Sequence, residues 1–165
     1  MARTGSVVRQ GLIVGLIGYG AVAAFYTLFD VLAARGAGFT LGLMGKVVFR
    51  GARDPALLQL PPVPDLAAMI AYNFLHLAVS LAVGLFVAGL VARVEDKPRL
   101  GYPVLFLLAA GYLITIFGVG ALVEGFTPLV PWWTLVLVNT LAAAAGAAYL
   151  ARAHPGLFER VRAAS

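Results

Sequence analysis

Four side chains that carry a carboxylate, an amide or an imidazole lie inside the apolar stretches of this chain: Asp30, Asn73, His76 and Asn139. Groups of this kind are costly in such a stretch, so each is by default a functional candidate. Asn73 and His76 stand three residues apart, which places them on one face of a helix. We therefore expect a polar cluster in one half of the helical region, and an almost wholly apolar opposite half.

His76 offers the widest chemistry. At 1.5 Å per residue it lies about 15 Å into its apolar stretch, near a bilayer midplane. An imidazole there can ligate haem iron, donate a hydrogen bond to a quinone or carry a proton, with Asn73 or Asp30 orienting the ring. The simpler alternative is a neutral His76 bonded to an asparagine, a tyrosine or a backbone carbonyl. The sequence predicts no cofactor as its first choice, with haem b or a quinone at His76 and Asn73 as the alternative.

Asp30 invites a transporter hypothesis, because a carboxylate inside the membrane can serve as a proton-coupled binding site. Asp30 is close to the end of its apolar stretch, however, and Arg35 is near enough in sequence to neutralise it. A local contact of Asp30 with Arg35 or with Asn73 is the simpler expectation.

The composition excludes several site chemistries. The chain has no cysteine, so disulfides, thiolate metal sites, iron–sulfur clusters and cysteine nucleophiles are impossible. Two histidines are too few for a zinc protease motif. The second of them, His154, lies at another depth than His76, which disfavours a bis-histidine haem. With no phosphate loop and no serine–histidine–aspartate set either, we expect no metal site and no catalytic residue.

The composition of the 165 residues indicates a membrane protein, with 62% hydrophobic residues, 12% charged residues and a mean hydropathy of +0.96. A soluble domain carries about 25% charged residues. Four stretches reach the roughly 20 apolar residues that a spanning helix needs. They cover about 11–34, 66–92, 102–123 and 132–151. The predicted fold class is all-α, an integral membrane four-helix bundle in a single domain over residues 1–165.

Lysine and arginine predict the orientation. If both termini are cytoplasmic, eight basic residues lie on that side and four lie in the first outer loop, as the positive-inside rule requires. The first span follows Arg3 and Arg9 and is typical of an uncleaved signal anchor. We expect a multi-pass protein of the bacterial inner membrane. Its net charge of +5 comes mostly from basic residues beside the spans. We expect these residues to set the membrane orientation and to contact lipid head groups rather than to bind a nucleic acid.

The first outer loop is predicted to contain a short interfacial helix over about 40–50. Its apolar residues share one face and its cations another, Leu41, Met44 and Val48 against Lys46, Arg50 and Arg53. The cations would meet lipid head groups, and Thr40 would cap the helix. A re-entrant or partner-docking segment is the alternative. Residues 60–64 are predicted to form an extended polyproline connector.

Small residues at four-residue spacing let helix backbones approach closely, and every span has a candidate set. They are Gly11, Gly15, Gly20 and Ala24 in the first span, Ser80, Gly84 and Ala88 in the second, Gly111, Gly118 and Gly120 in the third, and Ala142 and Gly146 in the fourth. These sets predict an intramolecular bundle. A surplus face would contact another membrane subunit.

Three segments in the first half of the chain resemble small uncharacterised four-span membrane proteins of bacteria: Gly11-Leu-Ile-Val-Gly-Leu-Ile, Phe29-Asp-Val-Leu-Ala and Phe39-Thr-Leu-Gly-Leu-Met-Gly. In those proteins a first helix that ends in an aspartate is followed by an aromatic–threonine segment, a short loop helix and a second helix with a histidine. The resemblance implies the same segment boundaries and draws attention to Asp30 and His76. It implies no activity and no catalytic residue.

The leading functional hypothesis is a non-enzymatic accessory or structural subunit of a larger inner-membrane complex, of which a respiratory complex is one example. This hypothesis depends on two observations: the sequence contains no recognisable set of catalytic residues, and every span has a face of small residues. The first alternative is a haem- or quinone-binding redox protein that uses His76. The second is a small transporter that uses Asp30.

Overall fold

The computed structural model describes residues 2–53 and 64–164, which form six α-helices and no strand. The helices are α1 (Ala2–Leu32), α2 (Phe39–Phe49), α3 (Leu66–Asp96), α4 (Gly101–Leu122), α5 (Trp132–Ala153) and α6 (Leu157–Ala163). Four of them, α1, α3, α4 and α5, are long and apolar enough to cross a membrane. The predicted all-α, multi-pass membrane fold is confirmed. The predicted connector at 60–64 lies outside the described residues except for Pro64.

The positions of proline predict where these helices begin and end better than the limits of the apolar stretches do. α1 begins at Ala2 instead of near residue 11, because residues 2–10 contain no proline to interrupt it. α3 continues to Asp96 and stops where Lys97 precedes Pro98, since a residue before proline disfavours the helical conformation. α5 likewise ends at Ala153, and its C-cap residue His154 precedes Pro155. Each of these helices is therefore longer than its predicted span.

Glycines bring α1 and α3 into backbone contact, and this pair has the most extensive interface in the described part of the chain. A Cβ atom built on Gly15 would lie 2.7 Å from the Cα of Leu81, and one on Gly84 would meet the backbone of Gly11 and Gly15. The predicted small-residue packing is confirmed for these three glycines. Gly20 differs, because nothing lies within 4 Å of its Cβ position.

The short helix α2 packs on α3 and α1 and closes one end of the bundle, called here the α2 end. The helix is confirmed, but it buries another face than the predicted one: Leu41 is half-buried and Val48 is exposed. The buried face enters a core with the 123–130 segment and α5, formed by Phe39, Leu43, Met44, Val47, Val123, Phe126, Val130 and Leu135. Gly45 permits this approach, since its Cβ would lie 2.6 Å from the carbonyl oxygen of Ala68.

The helix α4 lies at the periphery of the bundle, and only two of its residues, Ile116 and Gly120, are buried. Near the α2 end it meets α5, where the ring of Trp132 occupies the space beside Gly120. At the opposite end, called here the α6 end, the side chain of Val161 lies against Gly101. α4 therefore contacts the rest of the chain near its two ends and, through a hydrogen bond between Tyr112 and Thr140, at its middle.

Candidate functional site

A buried carboxylate joins the end of α1 to the start of α2. Asp30 has 1% of its surface exposed, and its two oxygens accept hydrogen bonds from the backbone N–H and the hydroxyl of Thr40, both at 2.7 Å. Thr40 is in the first turn of α2, where N–H groups lack an intrahelical acceptor. Asp30 is thus a cap supplied by another helix. The predicted capping role of Thr40 is wrong, because Gly38 is the N-cap residue and Thr40 donates to Asp30.

The predicted contact between the side chains of Asp30 and Arg35 is not formed in the described part of the chain. The Arg35 guanidinium donates to the carbonyl oxygen of Leu129 at 2.7 Å. It also lies 4.9 Å from the ring centroids of Phe29 and Phe39, in the geometry of a cation–π contact. Arg35 therefore fastens α2 and the 123–130 segment to the end of α1, and Asp30 and Arg35 perform separate structural tasks.

An imidazole with two tyrosine neighbours lies within α3. The half-buried ring of His76 has its centroid 5.3 Å from that of Tyr19 and 6.1 Å from that of Tyr72. Tyr19 also donates its hydroxyl to Asn73 Oδ1 at 2.8 Å, so the predicted pair Asn73 and His76 does share one site. Within residues 2–53 and 64–164, neither ring nitrogen of His76 has a hydrogen bond. The expected hydrogen-bonded histidine is instead held by ring contacts.

The structure does not join the four predicted polar residues into one hydrogen-bonded cluster. Asn139 donates to the carbonyl oxygen of Leu135 at 2.8 Å, one turn back in its own helix. Asn73 bonds to Tyr19, and Asp30 bonds to Thr40. Asn139 finds its acceptor within its own helix and so has no need of a partner on another helix, whereas Asn73 and Asp30 bond to other helices. Sequence spacing does not reveal which partner each side chain takes.

A second histidine site, not predicted from the sequence, lies at the α6 end. His154 is 8% exposed, and its Nδ1 lies 2.7 Å from Glu95 Oε1 while its Nε2 lies 3.0 Å from Gln10 Oε1. Glu95 is also 3.7 Å from a guanidinium nitrogen of Arg160. The imidazole, which directly follows α5, links the end of α3 to α1 about two turns after the start of α1. Gln10, Glu95 and His154 lie just beyond the predicted spans, so the expected apolar half within the spans stays a prediction. The signal was the position of Gln10, Glu95 and His154 at the same end of three predicted spans.

The basic residues predicted to meet lipid head groups have partners within the protein. Arg50 donates to both oxygens of Asp65, at 2.8 and 3.4 Å, and Asp65 caps α3 as predicted by accepting from the Ala68 N–H at 3.0 Å. The hydrogen bond from Arg50, followed by that from Ala68, lowers the pKa of Asp65 to about 2. Arg53 donates to a backbone carbonyl of α2 at 3.1 Å, and Lys46 also interacts within the chain. Lipid contact by these cations stays a prediction.

A stripe of small residues on α4 has no partner within the described chain. Gly111, Thr115 and Gly118 are exposed, and nothing lies within 4 Å of the Cβ positions of the two glycines. The hydroxyl of Thr115 donates to the carbonyl of Gly111 at 2.9 Å, within its own helix. We call Gly111, Thr115 and Gly118 the α4 stripe. It has the small-xxx-small spacing that brings membrane helices together.

No protein-family model, curated protein or solved structure matches the chain. The resemblance to small four-span bacterial proteins therefore stays an expectation, and function must be argued from the geometry.

Proposed function

We propose that this chain is a non-enzymatic subunit of a larger membrane complex and that it binds its partner through the α4 stripe. The observation that carries the proposal is the contrast between the glycines of the chain. Gly11, Gly15 and Gly84 are used in the α1–α3 contact, whereas the Cβ positions of Gly111 and Gly118 meet nothing within the described chain. Gly18, Gly20 and Gly89 are open too, but Gly111 and Gly118 lie about two turns apart on one face of a single helix. Glycine weakens a helix by about 1 kcal/mol relative to alanine, so two unused glycines on one face indicate a contact outside the chain.

The position of the stripe supports this assignment. At 3.6 residues per turn, the stripe is centred about 150° around α4 from its buried residues Ile116 and Gly120. The helix therefore packs on α5 with one side and presents the small residues to the opposite side. A second membrane helix can approach the backbone of α4 there without displacing any helix of this chain.

The proposal places the protein in a bacterial inner membrane with both termini in the cytoplasm. The chain has no cysteine, so single substitutions can be labelled without a background signal. In spheroplasts, an impermeant maleimide should label Ala37→Cys, near the α2 end, and should label Ala164→Cys, in the C-terminal tail, only after the membrane is permeabilised. The reverse pattern would contradict the orientation.

Co-purification tests the partner. Tagged Gly111→Leu and Gly118→Leu should each lose the stoichiometric partner that wild-type protein retains in mild detergent, because leucine holds the helices apart. Phe106→Leu is the matched control: Phe106 is 78% exposed and lies about 150° from the stripe. Equal partner recovery in all four samples would contradict the proposal.

A quinone- or haem-binding redox protein is the second candidate, and the free nitrogens of His76 favour it. The half-buried imidazole between Tyr19 and Tyr72 can donate a hydrogen bond to a quinone that arrives through the lipid. A visible absorption band or a co-purified quinone that is lost in His76→Ala and kept in Phe74→Ala would favour this candidate. Both oxygens of the buried Asp30 carboxylate accept hydrogen bonds from Thr40, so the transporter hypothesis has no comparable support.

A further inference from the structure

An apolar groove lies at the α6 end, between α3, α4, α5 and α6. Its walls are formed chiefly by Val91, Val94, Leu105, Leu108, Leu150 and Val161. The groove begins below the middle of the bundle, where a hydrogen bond of 2.6 Å between Tyr112 and Thr140 joins α4 to α5 at mid-length. At the α6 end, the start of α4 rests on α6 instead.

The segments that supply this groove at the α6 end are rich in basic residues. Residues 91–101 and 151–164 contain six basic residues, Arg93, Lys97, Arg99, Arg152, Arg160 and Arg162, against three carboxylates, Glu95, Asp96 and Glu159. Arg99 and Arg162 each lie within two positions of Gly101 and Val161, which contact each other and line the groove. Across the part of the chain that the structure describes, neither arginine has a hydrogen bond or an ion pair.

The basic side chains at the two ends of the bundle differ in whether they have partners within the protein. At the α2 end, Arg50 pairs with Asp65 and Arg53 donates to the backbone. At the α6 end, Arg99 and Arg162 have no such partner within the described residues. Tyr102, which also lines the groove and is 55% exposed, has the amphipathic ring that is enriched at head-group level.

We propose that the groove binds one acyl chain of an anionic glycerophospholipid, with the head-group phosphate on Arg99 and Arg162. The apolar walls match a hydrocarbon chain, and the surplus of positive charge selects an anionic head group over a zwitterionic one. Basic pockets between membrane helices recognise lipids by this combination. The lipid belongs to the leaflet that meets the α6 end, and the inference is independent of the partner proposed for α4.

Native mass spectrometry of the detergent-purified chain tests the proposal, with phosphatidylglycerol and phosphatidylcholine of identical acyl chains as probes. Wild-type protein should retain one phosphatidylglycerol in preference to phosphatidylcholine. Each arginine near a membrane surface contributes roughly a fivefold gain in affinity for an anionic lipid. Arg99→Gln with Arg162→Gln should therefore lower the phosphatidylglycerol affinity about 25-fold and leave the phosphatidylcholine affinity unchanged.

Two further variants separate the charge from the groove. Arg9→Gln removes a cation from α1, which does not line the groove, and should leave both affinities unchanged. Ala151→Phe fills the groove from an exposed position on α5 and should lower both affinities with no change of charge. Equal wild-type affinity for the two lipids, or full phosphatidylglycerol binding by Ala151→Phe or by the double arginine variant, would overturn the proposal.

Discussion

Removing the hydroxyl of Thr40 should loosen α2 from the bundle. Thr40→Val keeps the shape of the side chain and the backbone N–H, but it leaves Asp30 Oδ1 without the donor now at 2.7 Å. A hydrogen bond to a charged group contributes about 1.5–3 kcal/mol, and the carboxylate is only 1% exposed, so water cannot replace the donor freely. We expect a loss of about 2 kcal/mol in the free energy of unfolding.

Two further variants make this expectation specific. Thr40→Ser keeps both donors and removes one methyl group, so it should cost about 1 kcal/mol or less. Asp30→Asn keeps the shape and removes the charge, which weakens the same bonds. In a double-mutant cycle, Asp30→Asn and Thr40→Val should therefore show a coupling of about 1–2 kcal/mol.

The assay is unfolding in mixed micelles, followed by tryptophan fluorescence. The ring of Trp133 lies 5.9 Å from that of Phe29, the residue before Asp30, so its emission reports on the α2 end. A coupling within about 0.3 kcal/mol of zero would refute the capping role of Asp30. So would a Thr40→Ser protein as unstable as Thr40→Val.

Three other predictions concern helix contacts. Gly84→Val should destabilise the fold by at least about 1–3 kcal/mol through overpacking, and Gly89→Val, whose Cβ position is open, should not; equal unfolding midpoints would contradict the α1–α3 packing. Because the pKa of Asp65 is lowered from 3.8 to about 2, the Arg50–Asp65 pair should stabilise the fold fully above about pH 4 and lose its effect as the pH falls through 2. In Arg50→Gln the Asp65 midpoint should rise towards 3.8 in a carbon-13 NMR titration, and an unmoved midpoint would count against the pair. His154→Ala should cost about 1–3 kcal/mol, since Glu95 and Gln10 lose a buried partner, and wild-type thermal stability would show that His154 does not join the helix ends.

The sequence was sufficient for the spans, for the cap at Asp65 and for the glycines between α1 and α3. These features depend on local composition and on fixed helical spacing, which a single sequence displays. The prolines after α3 and α5 predict where these helices end more accurately than hydropathy does, because the residue before a proline disfavours the helical conformation.

The partners of the polar side chains could not be predicted in the same way. Asp30 has Arg35 close in sequence but bonds to Thr40, because α2 folds back and aims its free N–H groups at the carboxylate. His76 meets Tyr19, a residue on another helix that no pattern connects to it. Such contacts depend on how the helices are rotated against each other. The sequence periodicity leaves that rotation open.

The most direct test of the account is site-specific photocross-linking from α4 in native membranes. A photoreactive phenylalanine analogue at Ile114, a large side chain that is 72% exposed and lies beside the α4 stripe, should give a cross-link to one other membrane protein, and the same analogue at Phe106 should give only lipid adducts. An Ile114 cross-link to a second copy of this chain, or the same products from both positions, would contradict the proposal that this protein is a subunit held through the α4 stripe.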